Sequence, residues 1–546
     1  MKRFVWVGLL VAALLVPLLT SAWGALAARS RATVAVTAAP HIPSGAREIG
    51  AVSRGAAETA ALVLRPRNER ALRQFIASVT EAGSPAFHHY LAPGTFASRF
   101  GPTPTTIDAV KAQLVADGLR VTRVASDGLI VTFKASARQV EAAFHTRLAS
   151  YKLADGTLGQ ATTTAVRVPS TISAAVSAVV GLDNLVHPHA VSIVRAPASA
   201  RGTRAAAKAG HLTHPAGSPT ACASAQTDAQ QFGGLTDDQI ANAYGAFGLY
   251  GAGDLAAGQR IAIYELEPFL PSDIQTFDTC YFGASVAGQM AGRLNTMPVD
   301  GGQPTGQGSG EAVLDVENVS AMAPGANIDV YEAPNTTFGG LDEYSAIINA
   351  DADKVVTSSW GLCEQAVQLG EPGVQQAENF LFEQAAAQGQ SVFSAAGDTG
   401  SDDCNAFRAV APPAGQNPLS VDDPSSQPYV VAVGGTTIDN ASTQPPQERV
   451  WNDGAEWGSD GGGISMSWAM PTWQLRSRVP GVVLPGSSDY TQANTVEGSS
   501  GYPPGFCQAY LAGAGPSTPC RTLPDVSAQA DEFTGAITIF STEFGG

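Results

Sequence analysis

GSGEAVLDVENVSAMAPGANIDVYE, residues 308–332, reads as a helix followed directly by a strand. A Gly/Ser-rich run ends at Gly310, and apolar Val313, Leu314 and Val316 then mark a helix. It stops by Pro324, since proline lacks the N–H that would continue it. Asn327–Glu332 follows as a strand. The same alternation extends outward. Strands are expected at Arg260–Leu266 (RIAIYEL), Lys354–Ser359 (KVVTSS), Ser391–Ala396 (SVFSAA) and Tyr429–Val433, with helical patterns such as Val374–Ala387 between them. Apolar strands alternating with helices form a parallel sheet covered on both faces, an α/β architecture. In such sheets the functional site lies beyond the carboxyl ends of the strands.

The chain is too long, at 546 residues, for one ordinary core. Its net charge of −17 hides a division. Residues 1–217 carry 23 Lys and Arg against 10 Asp and Glu, whereas residues 218–546 carry 8 against 38. The join, Ala196–Ser218, is rich in Ala, Arg, Ser, Gly and Pro and reads as an exposed, cleavable linker. Five segments are expected: a signal peptide at 1–27, an N-terminal linker at 28–55, a propeptide at 56–195, a cleavable linker at 196–217 and a catalytic unit at 218–546. Lys2 and Arg3 ahead of the apolar run Phe4–Leu19 and an Ala25-Leu26-Ala27 site have the layout of a secretory signal. Secretion suits the six cysteines, for which the simplest pairing is Cys222–Cys280, Cys363–Cys404 and Cys507–Cys520 among fifteen possibilities. In the basic unit, strands at Ala60–Pro66 and Leu129–Phe133 and helices at Glu69–Glu81, Pro104–Asp117 and Ala137–Phe144 form an α+β pattern.

One absence constrains the chemistry. All eight histidines lie at or before His214, and Lys354 is the only lysine of residues 218–546. A Ser-His-Asp or Cys-His mechanism within the acidic unit is thereby excluded, and His-based zinc catalysis with it. Acid–base work there falls to carboxyl groups. Glu311 and Asp315, four apart on the helix, share a face with Cβ atoms about 5–6 Å apart. Repulsion at that distance raises at least one pKa, so the pair can share a proton and act as a base. Asp398, in SVFSAAGDTGSDD (391–403), opens a Gly-rich turn at a strand's carboxyl end. Kept protonated, it can donate a hydrogen bond to an oxyanion. Taken singly, the first pattern is common on solvated helix faces and the second in Asx turns.

The ordered set of motifs resembles the sedolisin (serine-carboxyl peptidase) family, specifically a kumamolisin-like precursor with a pro-kumamolisin activation domain. The N-terminal half carries it in SPAFHHYLAPGTFASRFGPT (84–103), VEAAFHT (140–146) and VPSTISAAVSAVVGLDNL (168–185). The rest carries it in LTDDQIANAYG (235–245), IAIYELE (261–267), SSWG (358–361), AAGDTGS (395–401), VAVGGTT (431–437) and PDVSAQAD (524–531). The resemblance implies a subtilisin-like fold preceded by a ferredoxin-like propeptide, and a serine-type endopeptidase acting on proteins in acid. By its motifs Glu311 is the general base, Asp315 orients it, and Asp398 is the acidic partner of the oxyanion hole. Glu265 and Trp360 extend the hydrogen-bond network. The resemblance also implies calcium, but the Asp-rich calcium loop is missing, and no metal ligand is expected within the chain. The implied nucleophile belongs to a Gly-Thr-Ser segment after the PDVSA stretch. Ser465, Ser499 and Ser500 lack that context, so no nucleophile is assigned. The chain is expected to be an inactive fragment of an active precursor, truncated at its C-terminus. Partners are expected to be protein or peptide substrates and the chain's own propeptide, with no nucleic acid and no stable membrane association after signal cleavage. The alternatives are a non-catalytic, peptide-binding pseudopeptidase and, more remotely, a glycoside hydrolase using Glu311 and Asp315.

Overall fold

The structure, a computed structural model, describes residues 32–190, 212–303, 310–405, 419–454, 457–476, 519–538 and 541. The expected signal peptide, most of the cleavable linker and Cys507 lie outside them.

Strands Leu294–Pro298, Asn327–Glu332, Arg260–Glu265, Val355–Ser358, Ser391–Ala395 and Val430–Asn440 lie side by side in that order, all parallel. Val526–Gln529 adds in parallel to Val430–Asn440, and Gln447–Val450 closes the edge antiparallel. All five strands read from the sequence of this unit are present to within a residue at their starts. Leu294–Pro298, Gln447–Val450 and Val526–Gln529 escaped the sequence reading. The first two are exposed edge strands and lack the apolar run that marks buried parallel strands.

Alternation along each strand sorts the helices onto two faces. Ala262 and Tyr264 pack with Leu341, Tyr344, Phe380 and Leu381, under the helices Thr337–Ala350 and Val374–Gln388. Ile263 points the other way, into a cluster with Ile274, Val313, Val316 and Val330 beneath Pro271–Phe282 and Gly310–Met322. Glu265 has the parity of Ile263, which puts it on the side of the Gly310–Met322 helix. Disulfides Cys222–Cys280 and Cys363–Cys404 join as expected.

The N-terminal unit is built on four antiparallel strands in the order Arg120–Val124, Ile130–Ser136, Ala57–Leu64, Val176–Val180. Helices Glu69–Thr80, Pro104–Ala116 and Ala137–Phe144 complete a ferredoxin-like pattern. The first buries Leu72, Ile76 and Val79 on one stripe, and Asn68 caps it by accepting from Ala71 N–H at 3.0 Å. Residues 28–55, read from sequence as a linker, contribute two strands. Thr33–Thr37 pairs with Val166–Pro169, and Arg47–Ala51 with Leu148–Lys152. Arg47–Ala51 is exposed along its length and held by backbone pairing, which leaves no hydrophobic pattern to read.

The two units share one core. Leu72, Ile76, Phe96 and Phe100 pack in the same cluster as Phe380 and Leu381. Around this contact the charges are complementary. Arg73 Nη1 meets Glu383 Oε1 at 3.1 Å, and Arg123 pairs with Asp342. Asn349 donates to Asp127 at 2.7 Å and accepts from Ser126 Oγ at 2.8 Å.

Asp342 is only 1% exposed, and Arg123 reaches it across the interface. Arg123→Ala should therefore destabilise the full chain by about 2 kcal/mol or more, since it strands a buried carboxylate. Urea unfolding of parent and variant checks this, and an unchanged midpoint would mean that the pair contributes nothing to docking.

Candidate active site

The carboxyl ends of the central strands converge on one cluster. Arg260–Glu265 ends at Glu265, which is fully buried. Its neighbour Val355–Ser358 ends one residue before Ser359, where the chain leaves the sheet to form Trp360–Cys363. Ser391–Ala395 is followed by a turn in which Gly397 (φ 99°) and Gly400 (φ 71°) adopt left-handed conformations around Asp398. The helix Gly310–Met322 brings Glu311 in its first turn and Asp315 one turn later.

Trp360 Nε1 donates to Glu265 Oε2 at 2.9 Å. Ser359 Oγ lies 2.9 and 3.0 Å from the two Asp315 oxygens and donates to that carboxylate. Glu311 is 4% exposed, and its Oε2 makes no hydrogen bond among the described residues. The main-chain N–H groups of Glu311 and Ala312 instead donate to Glu267 Oε1, at 2.8 and 3.0 Å.

Electrostatically the cluster is unusual because carboxyls face carboxyls. Burial, then repulsion from Asp315, Asp398 and Glu267, holds Glu311 well above the usual carboxylate range. Glu265 is pushed the same way by burial and by Asp315, Glu311 and Glu267, against the opposing pull of the Trp360 hydrogen bond. Burial raises Asp315 to about 6, with Ser359 and Glu265 drawing it back. Asp398 is raised to about 7 by burial and by the charges of Asp403 and Asp460. Five cations of the unit are engaged elsewhere: Arg260 with Asp329 and Asp353, Lys354 with Asp351, Arg449 with Asp439, Arg521 with Asp525, and Arg293 with the carbonyls of Pro324 and Ala326. Three buried carboxyls that repel one another favour keeping a proton among them, and burial likewise favours the protonated form of Asp398.

The structure therefore brings together Glu265, Glu311, Asp315 and Trp360, four of the residues read from the sequence. Asp398 stands close enough to act electrostatically on Glu311, and it shares a small cavity with Ser359, Gly361 and Asp422. Ser359 and Glu267 were missed as site residues. Both lie inside quoted motifs, SSWG and IAIYELE, but a lone serine or glutamate at a strand end carries no pattern of its own. Ser465 is fully buried, donates to Glu364 Oε1 at 2.5 Å and accepts from the N–H groups of Ser467 and Trp468. Ser499 and Ser500 lie outside the described residues. Among the described residues no group of three or more His, Cys, Asp or Glu side chains is arranged to hold a metal ion.

The last described strand of the N-terminal unit lies against this site. His189 and Ala190 pair antiparallel with Gly361 and Trp360, and Pro188 lines a neighbouring pocket with Trp360, Glu371 and Glu378.

Comparison with known proteins shows what the chain is similar to. Residues 44–185 match the family described as Pro-kumamolisin, activation domain, and residues 282–522 match the Subtilase family. Sedolisin from Pseudomonas sp. (strain 101) is 32% identical over 448 residues, covering 78% of this chain and 69% of that protein. Kumamolisin from Bacillus sp. (strain MN-32) is 36% identical over 286 residues, covering 51% of this chain and 43% of its own length. The chain thus spans less than half of that relative. A solved structure of Pseudomonas sedolisin (serine-carboxyl proteinase), complexed with two molecules of pseudo-iodotyrostatin, aligns with a TM-score of 0.41 at 25% identity. That alignment covers 56% of this chain and 73% of the other.

Buried carboxyls extend past the cluster. Glu364 is raised to about 7, Asp403 and Asp423 to about 6, each mainly by burial. Their folded values exceed those of an unfolded chain, near 4. The stability they contribute is fully present below about pH 4 and is lost as pH rises through about 6–7. The melting temperature should therefore fall between about pH 4 and pH 8. Calorimetry across that range is the check, and a flat or rising profile would contradict it.

Proposed function

Given that the chain belongs to the sedolisin family, we propose that it is the precursor form of a secreted, acid-acting serine endopeptidase whose base is Glu311. The observation that carries this reading is the Glu265–Glu311–Asp315 cluster, built at the carboxyl ends of the strands without histidine or lysine. In the proposed reaction a serine hydroxyl attacks the scissile carbonyl as its proton passes to Glu311. Asp315 orients Glu311 and is itself held by Ser359, while the Trp360–Glu265 hydrogen bond extends the network. Asp398, protonated, donates to the oxyanion of the tetrahedral intermediate. Glu311 then returns the proton to the leaving amine. The nucleophile is assigned to no serine of this chain. Calcium is given no step.

Secretion is supported by the signal-like N-terminus and by the two disulfides, which form and persist in oxidising compartments. Among the described residues no helix is long and apolar enough to cross a membrane. The precursor reading is supported by the antiparallel pairing of His189–Ala190 with the Trp360 strand. An extended peptide substrate would use that same edge. Proteins or peptides are the substrates proposed, and the N-terminal unit is the intramolecular occupant. A second reading, a protein that binds peptides without cleaving them, is favoured by one observation. The serine that reaches the cluster, Ser359, is tied to both Asp315 oxygens.

Activity requires the cluster to have lost a proton and Asp398 to have kept one. In a complete enzyme that supplies the serine nucleophile, the pH profile of kcat/KM should thus be a bell on the acid side, with its alkaline limb near the Asp398 value of about 7. Asp398→Asn keeps a donor but does not titrate, so it should abolish that limb. A limb that stays in place would remove Asp398 from this role. Glu311→Gln should lower kcat/KM on a peptide substrate by about 10³-fold with folding intact, as loss of a general base does. Peptide bound but not hydrolysed by a complete protein that supplies the serine would favour the second reading.

A further inference from the structure

The segment linking Glu265 to the Glu311 helix holds a carboxylate to which neither the sequence reading nor the proposed reaction gives a task. Glu267 lies two residues beyond Glu265, where the chain leaves the sheet, and Leu266 between them accepts from Gln303 Nε2 at 2.8 Å. One oxygen of Glu267 accepts the consecutive N–H groups of Glu311 and Ala312. These are donors of a helix's first turn, which have no partner within the helix itself. We infer that Glu267 is a positioning residue: its carboxylate clamps the first turn of the Gly310–Met322 helix and fixes the Glu311 side chain relative to the strand end that bears Glu265. This rests on the reading of Glu311 as the base.

Two bonds to a single oxygen fix both the start and the direction of the helix. The negative charge there complements the helix dipole. Unlike a Ser or Asn cap, this clamp comes from a separate element, so the helix start is tied to the sheet and not only to its own preceding residues. The clamp has a second effect, because its charge stands beside the groups it positions. Glu311 is faced by Asp315 from its own helix, by Glu267 from the strand end and by Asp398 from the Gly397–Gly400 turn. Glu265 feels Asp315, Glu311 and Glu267. Glu267 therefore places the base and biases it toward keeping its proton.

The two effects separate by substitution. In Glu267→Gln the amide oxygen still accepts both N–H groups, but the charge is gone. The acid limb of kcat/KM in the complete enzyme, with its serine nucleophile, should move down by about one pH unit, while kcat at the optimum changes less than about threefold. In Glu267→Ala the clamp itself is lost, and kcat should fall about tenfold or more at nearly constant KM, as misplacement of a reacting group does. A residue important only for stability would lower the melting temperature and leave the limb in place. If Glu311→Gln is inactive while Glu267→Ala keeps the parental kcat, this inference is overturned and the base assignment stands. If Glu311→Gln retains parental activity, the base assignment falls and takes this inference with it. Should Glu267→Ala fail to fold, Glu267→Asp decides, since it keeps the charge but draws the oxygen back from both N–H groups, and parental kcat there overturns the inference.

Discussion

Carboxyl groups buried against one another without a compensating cation are the constraint on which the rest of this structure depends. An isolated carboxylate moved from water into a protein interior is expensive, and the usual remedies are a paired cation or a proton. Around Glu265, Glu311 and Asp315 the remedy is the proton, since the groups acting on them are other carboxyls, a tryptophan N–H and a serine hydroxyl. The same holds for Asp422, which burial and the charges of Asp403 and Asp423 keep far above its ordinary range. A unit assembled in this way stores protons in its folded state, which couples its stability to acid conditions.

The sheet makes this arrangement possible. Strands Arg260–Glu265 and Val355–Ser358 are neighbours, so Glu265 and the Ser359–Trp360 corner emerge side by side at one edge. The helix that follows the edge strand Leu294–Pro298 crosses the same face and lowers its first two turns onto that edge. Three hydrogen-bonding contacts are then fixed by backbone geometry: Trp360 on Glu265, Ser359 on Asp315, and the first helical N–H groups on Glu267. Rigid elements on three sides are what allow groups that repel one another to stay within reach.

Docking of the N-terminal unit follows a different logic. Its helix Glu69–Thr80 packs an apolar stripe onto Val374–Gln388, and its arginines meet carboxylates whose other surroundings are buried. Apolar burial supplies attraction and the ion pairs supply register, in line with the general division of labour at interfaces. The chain then runs on to seat His189 and Ala190 beside Trp360, so that docking and occupation of the site edge are one event.

Periodicity was sufficient to locate the central parallel strands, the main helices of both units and the common face of Glu311 and Asp315, because those features repeat every two or four residues. The absence of histidine and the near absence of lysine in the acidic unit restricted its chemistry to carboxyls before any fold was known. Motif order then added Glu265, Trp360 and Asp398. Three things had no local signature. The strand Leu294–Pro298 is exposed on an edge, and the strands in residues 28–55 are held by pairing with Leu148–Lys152 and Val166–Pro169, about a hundred positions or more along the chain. The contacts of Ser359 with Asp315 and of Glu267 with the helix start each span 44 positions, and only the order of strands in the sheet brings them together. Raised pKa values belong to the same class. Burial and mutual repulsion are properties of where side chains meet in space, and only the folded chain decides where they meet.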